Sequence, residues 1–178
     1  MNGGPSFVLR SGRGTLASVQ GDEVDLQQQL ADAVDALEDA GVSWALCGGL
    51  ALAVHGVARA TEDIDLLVPE GDVERALTAL GRAGFTLRAG PIPVAVASGS
   101  PQRLYRATRP LGAGHVTVDL LVASPAYAPA WEGRLRVSWN GRHLWVVSRE
   151  GLASMKRLSR RMKDLADLER LEETRDGE

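Results

Sequence analysis

An α/β (α+β) fold, with a mixed β-sheet flanked by helices and further helices at the C-terminal end, is predicted by three features of this sequence. Trp44–Val68 (WALCGGLALAVHGVARATEDIDLLV) reads as strand, glycine turn, short helix and second strand. Asn140-Gly141 stands between two alternating apolar segments, the strongest two-residue hairpin signal. Helical periodicity occupies Asp22–Ala40 and again Arg149–Glu173. Internal repeats, heptad arrays and low-complexity tracts are missing from the sequence, so one domain accounts for the chain.

Taken in order, residues 1–20 carry glycine, proline and no helical period, and are expected to form a flexible arm. A core of residues 21–148 follows, with a C-terminal helical segment, 149–178, packed on it. Leu26, Leu30, Ala33, Val34 and Leu37 recur at 3.6-residue spacing, and Gly41 ends that helix. Val42, Trp44 and Leu46 alternate as a mostly buried strand that stops at Gly48-Gly49; Leu50–His55 is short, alanine-rich and helix-compatible. Asp63–Val68 is a strand, and Gly71-Asp72 opens a helix that runs to about Ala83 and stops at Gly84. Phe85–Leu87 reads as a short strand. The Gly- and Pro-rich run Arg88–Ser100 reads either as an edge strand or as an active-site loop. Gln102–Arg109 and His115–Ala123 are strands joined by the turn Pro110–Gly114. A loop around Pro125 and Pro129 leads to the hairpin Leu135–Trp139 and His143–Val147. The C-terminal helical pattern is continuous or in two pieces.

The chemistry concentrates on Gly48-Gly49 and Asp63-Ile64-Asp65. A glycine pair opening a helix lets backbone N–H groups approach an anion, and the helix start adds positive potential. The period of two puts Asp63 and Asp65 on one face of their strand and Ile64, Leu66 and Val68 on the other. Adjacent carboxylates repel each other and are costly to desolvate. A divalent cation relieves both problems, and magnesium typically sits on one or two carboxylates plus substrate phosphates. A phosphate cradle facing a metal platform is apparatus for nucleotidyl transfer.

These residues resemble the nucleotidyltransferase superfamily related to polymerase β, whose signature is Gly-Gly or Gly-Ser, about a dozen residues, then Asp-x-Asp or Asp-x-Glu. Here 13 residues separate Gly49 from Asp63. GGLALAVHGVARATEDIDLLV resembles, more narrowly, the branch holding AbiEii-type toxins and the small nucleotidyltransferases that inactivate aminoglycosides or lincosamides. The resemblance implies the nucleotidyltransferase fold and transfer of a nucleoside monophosphate from an NTP to a hydroxyl. It also implies a strand holding Asp119 beside Asp63 and Asp65, completing a site for two Mg²⁺ ions. The bland alternative for Asp119 is a sheet-edge aspartate paired with an arginine. Arg59 and Thr61 are candidates for contacting the nucleotide or for holding the loop.

The block LASMKRLSRRMKDLADLERL also resembles the C-terminal motif of AbiEii-like members, through Lys156, Arg161, Lys163-Asp164 and Asp167-Leu168. On a continuous helix Lys156, Arg160, Lys163 and Asp167 would share a stripe able to bind triphosphate or an RNA backbone. The alternative is a solvated face with the i,i+4 pairs Arg160–Asp164 and Lys163–Asp167. Where the family often has proline, this chain has Met162. The resemblance leaves the acceptor open between tRNA, with a cognate antitoxin, and a small hydroxylated molecule. A degenerate member that binds nucleotide or protein without turnover is the third reading.

Remaining candidates favour packing. Cys47 lies in a buried strand, His55 ends a short helix, and His115 and His143 lack metal-ligand spacing. Trp131, Trp139 and Trp145 either stack on a base or fill the core. The 178 residues are 44% hydrophobic and 24% charged, enough for one domain with a real core. Net charge −3 argues against strong non-specific nucleic-acid binding. A single cysteine points to a reducing, cytoplasmic setting, and no apolar run has the length of a membrane helix. The N-terminal stretch lacks the apolar core of a secretory signal.

Overall fold

The computed structural model describes residues 25–57, 59–94, 102–159 and 162–173, with only the backbone of Met162 and Lys163. The expected N-terminal arm, the far end of the Arg88–Ser100 run, and Arg160 and Arg161 lie outside these residues. Leu26–Asp39 forms helix α1, capped by the Asp25 carboxylate, which accepts from the N–H groups of Gln27 and Gln28. Gly41 leaves it at φ +64°, a conformation that favours glycine. The next strand, β1, covers only Ala45–Leu46. It is shorter than its apolar pattern suggests, because the Ser43 N–H turns aside to the Asp72 carboxylate at 3.1 Å. Helix α2 then runs Gly48–Val54 and strand β2 Asp63–Val68. A 3₁₀ turn at Glu70–Asp72 leads into α3, Val73–Arg82.

The Gly- and Pro-rich stretch resolves as an edge strand, β3 (Leu87–Val94), with a register shift between Ala89 and Ile92. Pro91 and Pro93 lack the N–H a central strand would need, and an edge position tolerates that. Strands β4 (Gln102–Leu111) and β5 (Gly114–Val122) form a hairpin. The expected loop after β5 instead contains a 3₁₀ turn, Pro125–Tyr127, and a short helix, α4 (Ala128–Glu132). Both begin with a proline in the first turn, where no N–H is required. Strands β6 (Leu135–Trp139) and β7 (Arg142–Val146) flank Asn140 and Gly141 at φ 46° and 77°, the two left-handed residues of a type I′ turn. Two helices follow, α5 (Arg149–Ser159) and α6 (Met162–Glu173), packed on each other.

The seven strands form one mixed sheet in the order β3-β4-β5-β2-β1-β7-β6. Its centre is the parallel pair β2–β5; β1 runs antiparallel to β2 and parallel to β7. Ile64, Leu66, Leu67 and Val68 are fully buried there, each contributing roughly 1.5–3 kcal/mol of apolar burial. Helices α1 and α3 pack together and reach β5 and β4 respectively. Arg109 ties that layer to the sheet. It donates to Gln29 and Asp32 at 2.7 Å and to the Ala83 carbonyl, and it stacks over Phe85. Helix α2 contacts β2 and α5, which carries the C-terminal pair of helices to the open end of β2.

Candidate active site

A cleft of about 430 Å³ opens where the start of α2, the start of β2, the middle of β5 and the α5–α6 pair converge. Its floor follows from strand register. Asp65 lies directly beside Asp119 in the parallel β2–β5 ladder, and Asp63 lies beside Thr117. Period-two alternation turns Asp63 and Asp65 to the cleft while Ile64 and Leu66 enter the core. Asp63 is exposed, Asp65 half-buried and Asp119 buried.

Gly48-Gly49 forms the opposing wall. A Cβ at Gly48 would stand 1.9 Å from Asp65 Oδ2, and Gly48 has φ +62°. A Cβ at Gly49 would lie 2.8 Å from Thr61. The pair therefore clears room for one of the carboxylates and for Thr61, besides leaving backbone open to a phosphate. Thr61 donates to the Asp63 carbonyl at 3.3 Å, bracing the entry to β2. The Cys47 N–H donates to the Asp65 carbonyl at 2.9 Å. Burial, reinforced by the charge of Asp65, pushes the Cys47 thiol well above its ordinary range, so it stays protonated and packs.

Asp119 has a partner that the sequence reading did not name. Arg106 Nε donates to its Oδ1 at 2.7 Å and Arg106 Nη2 to its Oδ2 at 2.8 Å. The pairing follows from the hairpin, because Arg106 is the residue opposite Asp119 across β4–β5. Counting back from the turn at Gly112-Ala113 locates it. The arginine alternative for Asp119 thus holds in its chemistry but not in its placement, since β5 is an interior strand. The hydrogen bond to Asp119, joined by the charges of Asp119, Asp63 and Asp65, raises the Arg106 pKa further. Among the described residues, no group of three or more His, Cys, Asp and Glu side chains is arranged to hold a metal ion.

The C-terminal cations are arranged differently from a stripe on one helix. Lys156, on α5, is buried and donates to Asp167 at 2.7 Å and to Asp164 at 3.2 Å, both on α6. Ser159 donates to Asp164 at 2.6 Å, and Arg59 donates to Asp167 at 2.9 Å. Asp164 and Asp167 are therefore held by groups from α5 and from the loop before β2, replacing the expected i,i+4 partners. The cause is the packing of α5 against α6 as separate helices. The side chain of Lys163 lies outside the described residues. Arg59, Thr61 and Lys156 line the cleft, so the structure brings them together with Gly48, Gly49, Asp63, Asp65 and Asp119. Tyr127 and Glu62 also line it and were not singled out from sequence.

His55 stands apart from this chemistry. Its Nε2 bonds the Val147 carbonyl at 2.8 Å, and burial lowers its pKa. Trp139 is core, while Trp145 is 39% exposed and, with Trp131, stacks on Arg134. No helix among the described residues is long and apolar enough to cross a membrane.

Solved structures share the fold at low identity. A Thermotoga maritima protein assigned to the nucleotidyltransferases matches at TM-score 0.53 and 15% identity, over 86% of this chain and 92% of its own. ANT(2″)-Ia in complex with adenylyl-2″-tobramycin matches at TM-score 0.54 and 12% identity, over 86% and 94%. The lincosamide antibiotic adenylyltransferase LnuA, lincomycin-bound, matches at TM-score 0.50 and 15% identity, over 83% and 97%. No curated protein matches the chain by sequence. The family model for the nucleotidyl transferase AbiEii toxin of type IV toxin–antitoxin systems matches residues 30–178, and with the sheet and the paired glycines and aspartates in place, the chain belongs to that nucleotidyltransferase family.

Proposed function

We propose that this nucleotidyltransferase moves a nucleoside monophosphate from an NTP to a hydroxyl of an RNA acceptor, tRNA among the candidates, in an Mg²⁺-dependent reaction that releases pyrophosphate. The observation that carries the reading is the in-register pair Asp65–Asp119 with Asp63 alongside, facing Gly48-Gly49 across one cleft. The donor set suits a hard divalent ion, because Asp63 and Asp65 present carboxylate oxygens on one face and Gly48 leaves Asp65 the space to do so. Asp63 and Asp65 would hold the ion, and when bound it neutralises charge on the triphosphate.

The chain's own groups supply the rest. The Gly48-Gly49 backbone comes close to the phosphates, and Thr61 fixes the segment that delivers Asp63. Asp65 and Asp119 border the place where the acceptor hydroxyl would lose its proton. Arg59 and Lys156 face the nucleotide from the other wall, each already oriented by Asp167. A toxin of this family would work beside a cognate antitoxin. A second reading, a small hydroxylated acceptor, is favoured by the acidic lining of Glu62, Asp63, Asp65, Asp119 and Asp164, whose neighbouring cations are paired inward. It fits a cationic acceptor better than a polyanion.

Each labelled NTP is incubated with Mg²⁺ and cellular RNA, and separately with small hydroxylated compounds. Label in RNA that disappears on chelation, and by several orders of magnitude in Asp65→Asn, is the expected result. Label confined to small compounds moves the acceptor to the second reading. An Asp65→Asn protein that keeps most of its activity removes the site assignment altogether.

A further inference from the structure

Resting on that reading of the site, the inference concerns how many ions the cleft takes. A two-ion arrangement needs Asp119 as a ligand. Yet Asp119 has both carboxylate oxygens engaged by the Arg106 fork, at 2.7 and 2.8 Å. This contact is built into the sheet, because Arg106 and Asp119 are direct cross-strand partners in the β4–β5 hairpin. The geometry is the planar two-point match that makes arginine a carboxylate partner and lysine a poor substitute. A divalent ion on Asp119 would sit beside a fixed guanidinium and be repelled by it. Charge also balances without such an ion. Three carboxylates, Asp63, Asp65 and Asp119, are matched by one guanidinium and one divalent cation.

We propose that Arg106 takes the place of the second metal: the cleft holds one divalent ion, on Asp63 and Asp65, and the Arg106 guanidinium locked on Asp119 is the second cation. Asp119 then serves as a positioning residue that aims Arg106 into the cleft. The 42% exposure of the Arg106 side chain leaves part of the guanidinium facing substrate.

Mn²⁺ is the probe, bound to the full chain with a non-hydrolysable NTP analogue and read by electron paramagnetic resonance. The wild type is expected to show an isolated mononuclear signal with one ion per chain. Asp65→Asn abolishes it, whereas Asp119→Asn keeps it with Mn²⁺ affinity within about threefold. Arg106→Met, with folding checked by circular dichroism, gains a second ion and an exchange-coupled pair, and the double variant Arg106→Met/Asp119→Asn loses that gain. A coupled pair in the wild type overturns the proposal, as does a tenfold or larger loss of Mn²⁺ affinity in Asp119→Asn. So does Arg106→Met with a single ion. A wild type that binds no Mn²⁺ is a different failure, since it removes the nucleotidyl-transfer site along with the inference.

Discussion

At Gly48 the smallest side chain in the cleft decides where the most central carboxylate can stand. A methyl group there meets Asp65 Oδ2 at 1.9 Å, and the +62° φ adds its own cost of about 1–2 kcal/mol for any L side chain. Gly48→Ala is expected to lower nucleotidyl transfer at least a hundredfold and to lower the unfolding free energy by that amount or more. Labelled-NTP kinetics and denaturant melts check the two halves, and an active Gly48→Ala enzyme would show that Asp65 need not occupy its observed position. His55 makes a pH prediction. Burial holds its folded pKa below the unfolded value of about 6.5, so below that pH the unfolded chain binds the extra proton. Stability contributed by neutral His55 is therefore complete above about pH 6.5 and declines as pH falls toward the folded value. His55→Asn should flatten that acid-side decline in urea unfolding curves taken from pH 7 to pH 5, and an unchanged slope would remove His55 as its source.

At the scale of elements, the docking of α5 on α6 rests on a polar cluster as well as on leucines. Lys156 is buried between Asp164 and Asp167. Removing one member of a buried ion pair strands the other charge, so Lys156→Met should cost about 3–5 kcal/mol at neutral pH. Urea denaturation measures it; a loss below 1 kcal/mol would mean that the cluster is far wetter than its burial indicates. This cluster also marks where sequence reading stops. The hairpin at Asn140-Gly141, the end of α1 at Gly41 and the Asp63–Asp65 face were all legible, because turn chemistry and period-two alternation are local. The Lys156 contacts were not, since they depend on how two helices cross, and i,i+4 spacing offered plausible partners that tertiary packing overrode. Arg106 is an intermediate case. Nothing in its own neighbourhood distinguishes it, yet the register from Gly112-Ala113 puts it opposite Asp119.

For the whole molecule, the acceptor question becomes one of electrostatics. A chain of net charge −3 that binds tRNA must do so through local cations, and its affinity should fall steeply between 50 and 200 mM salt. Lys156 is internally paired, so its neutralisation should leave that salt slope unchanged, in contrast to an exposed phosphate contact, which would shallow it by about one unit. Filter binding over a salt series decides this, and a flat wild-type profile excludes the polyanion.

The pairing of β1 with β7 joins Leu46 to Val146, and this bears on when the enzyme can first act. The glycine wall and the first two aspartates leave the ribosome early, but Asp119 and its ladder to β2 come later, and the β6–β7 hairpin that completes the other side of β1 later still. Contacts so distant along the chain are slow to close, because a long loop must be ordered before they repay it. A ribosome-bound fragment ending before β5 therefore carries the signature residues without the strand that completes their site, so a cell making a growth-arresting nucleotidyltransferase of this design is shielded from it until most of the polypeptide has been translated.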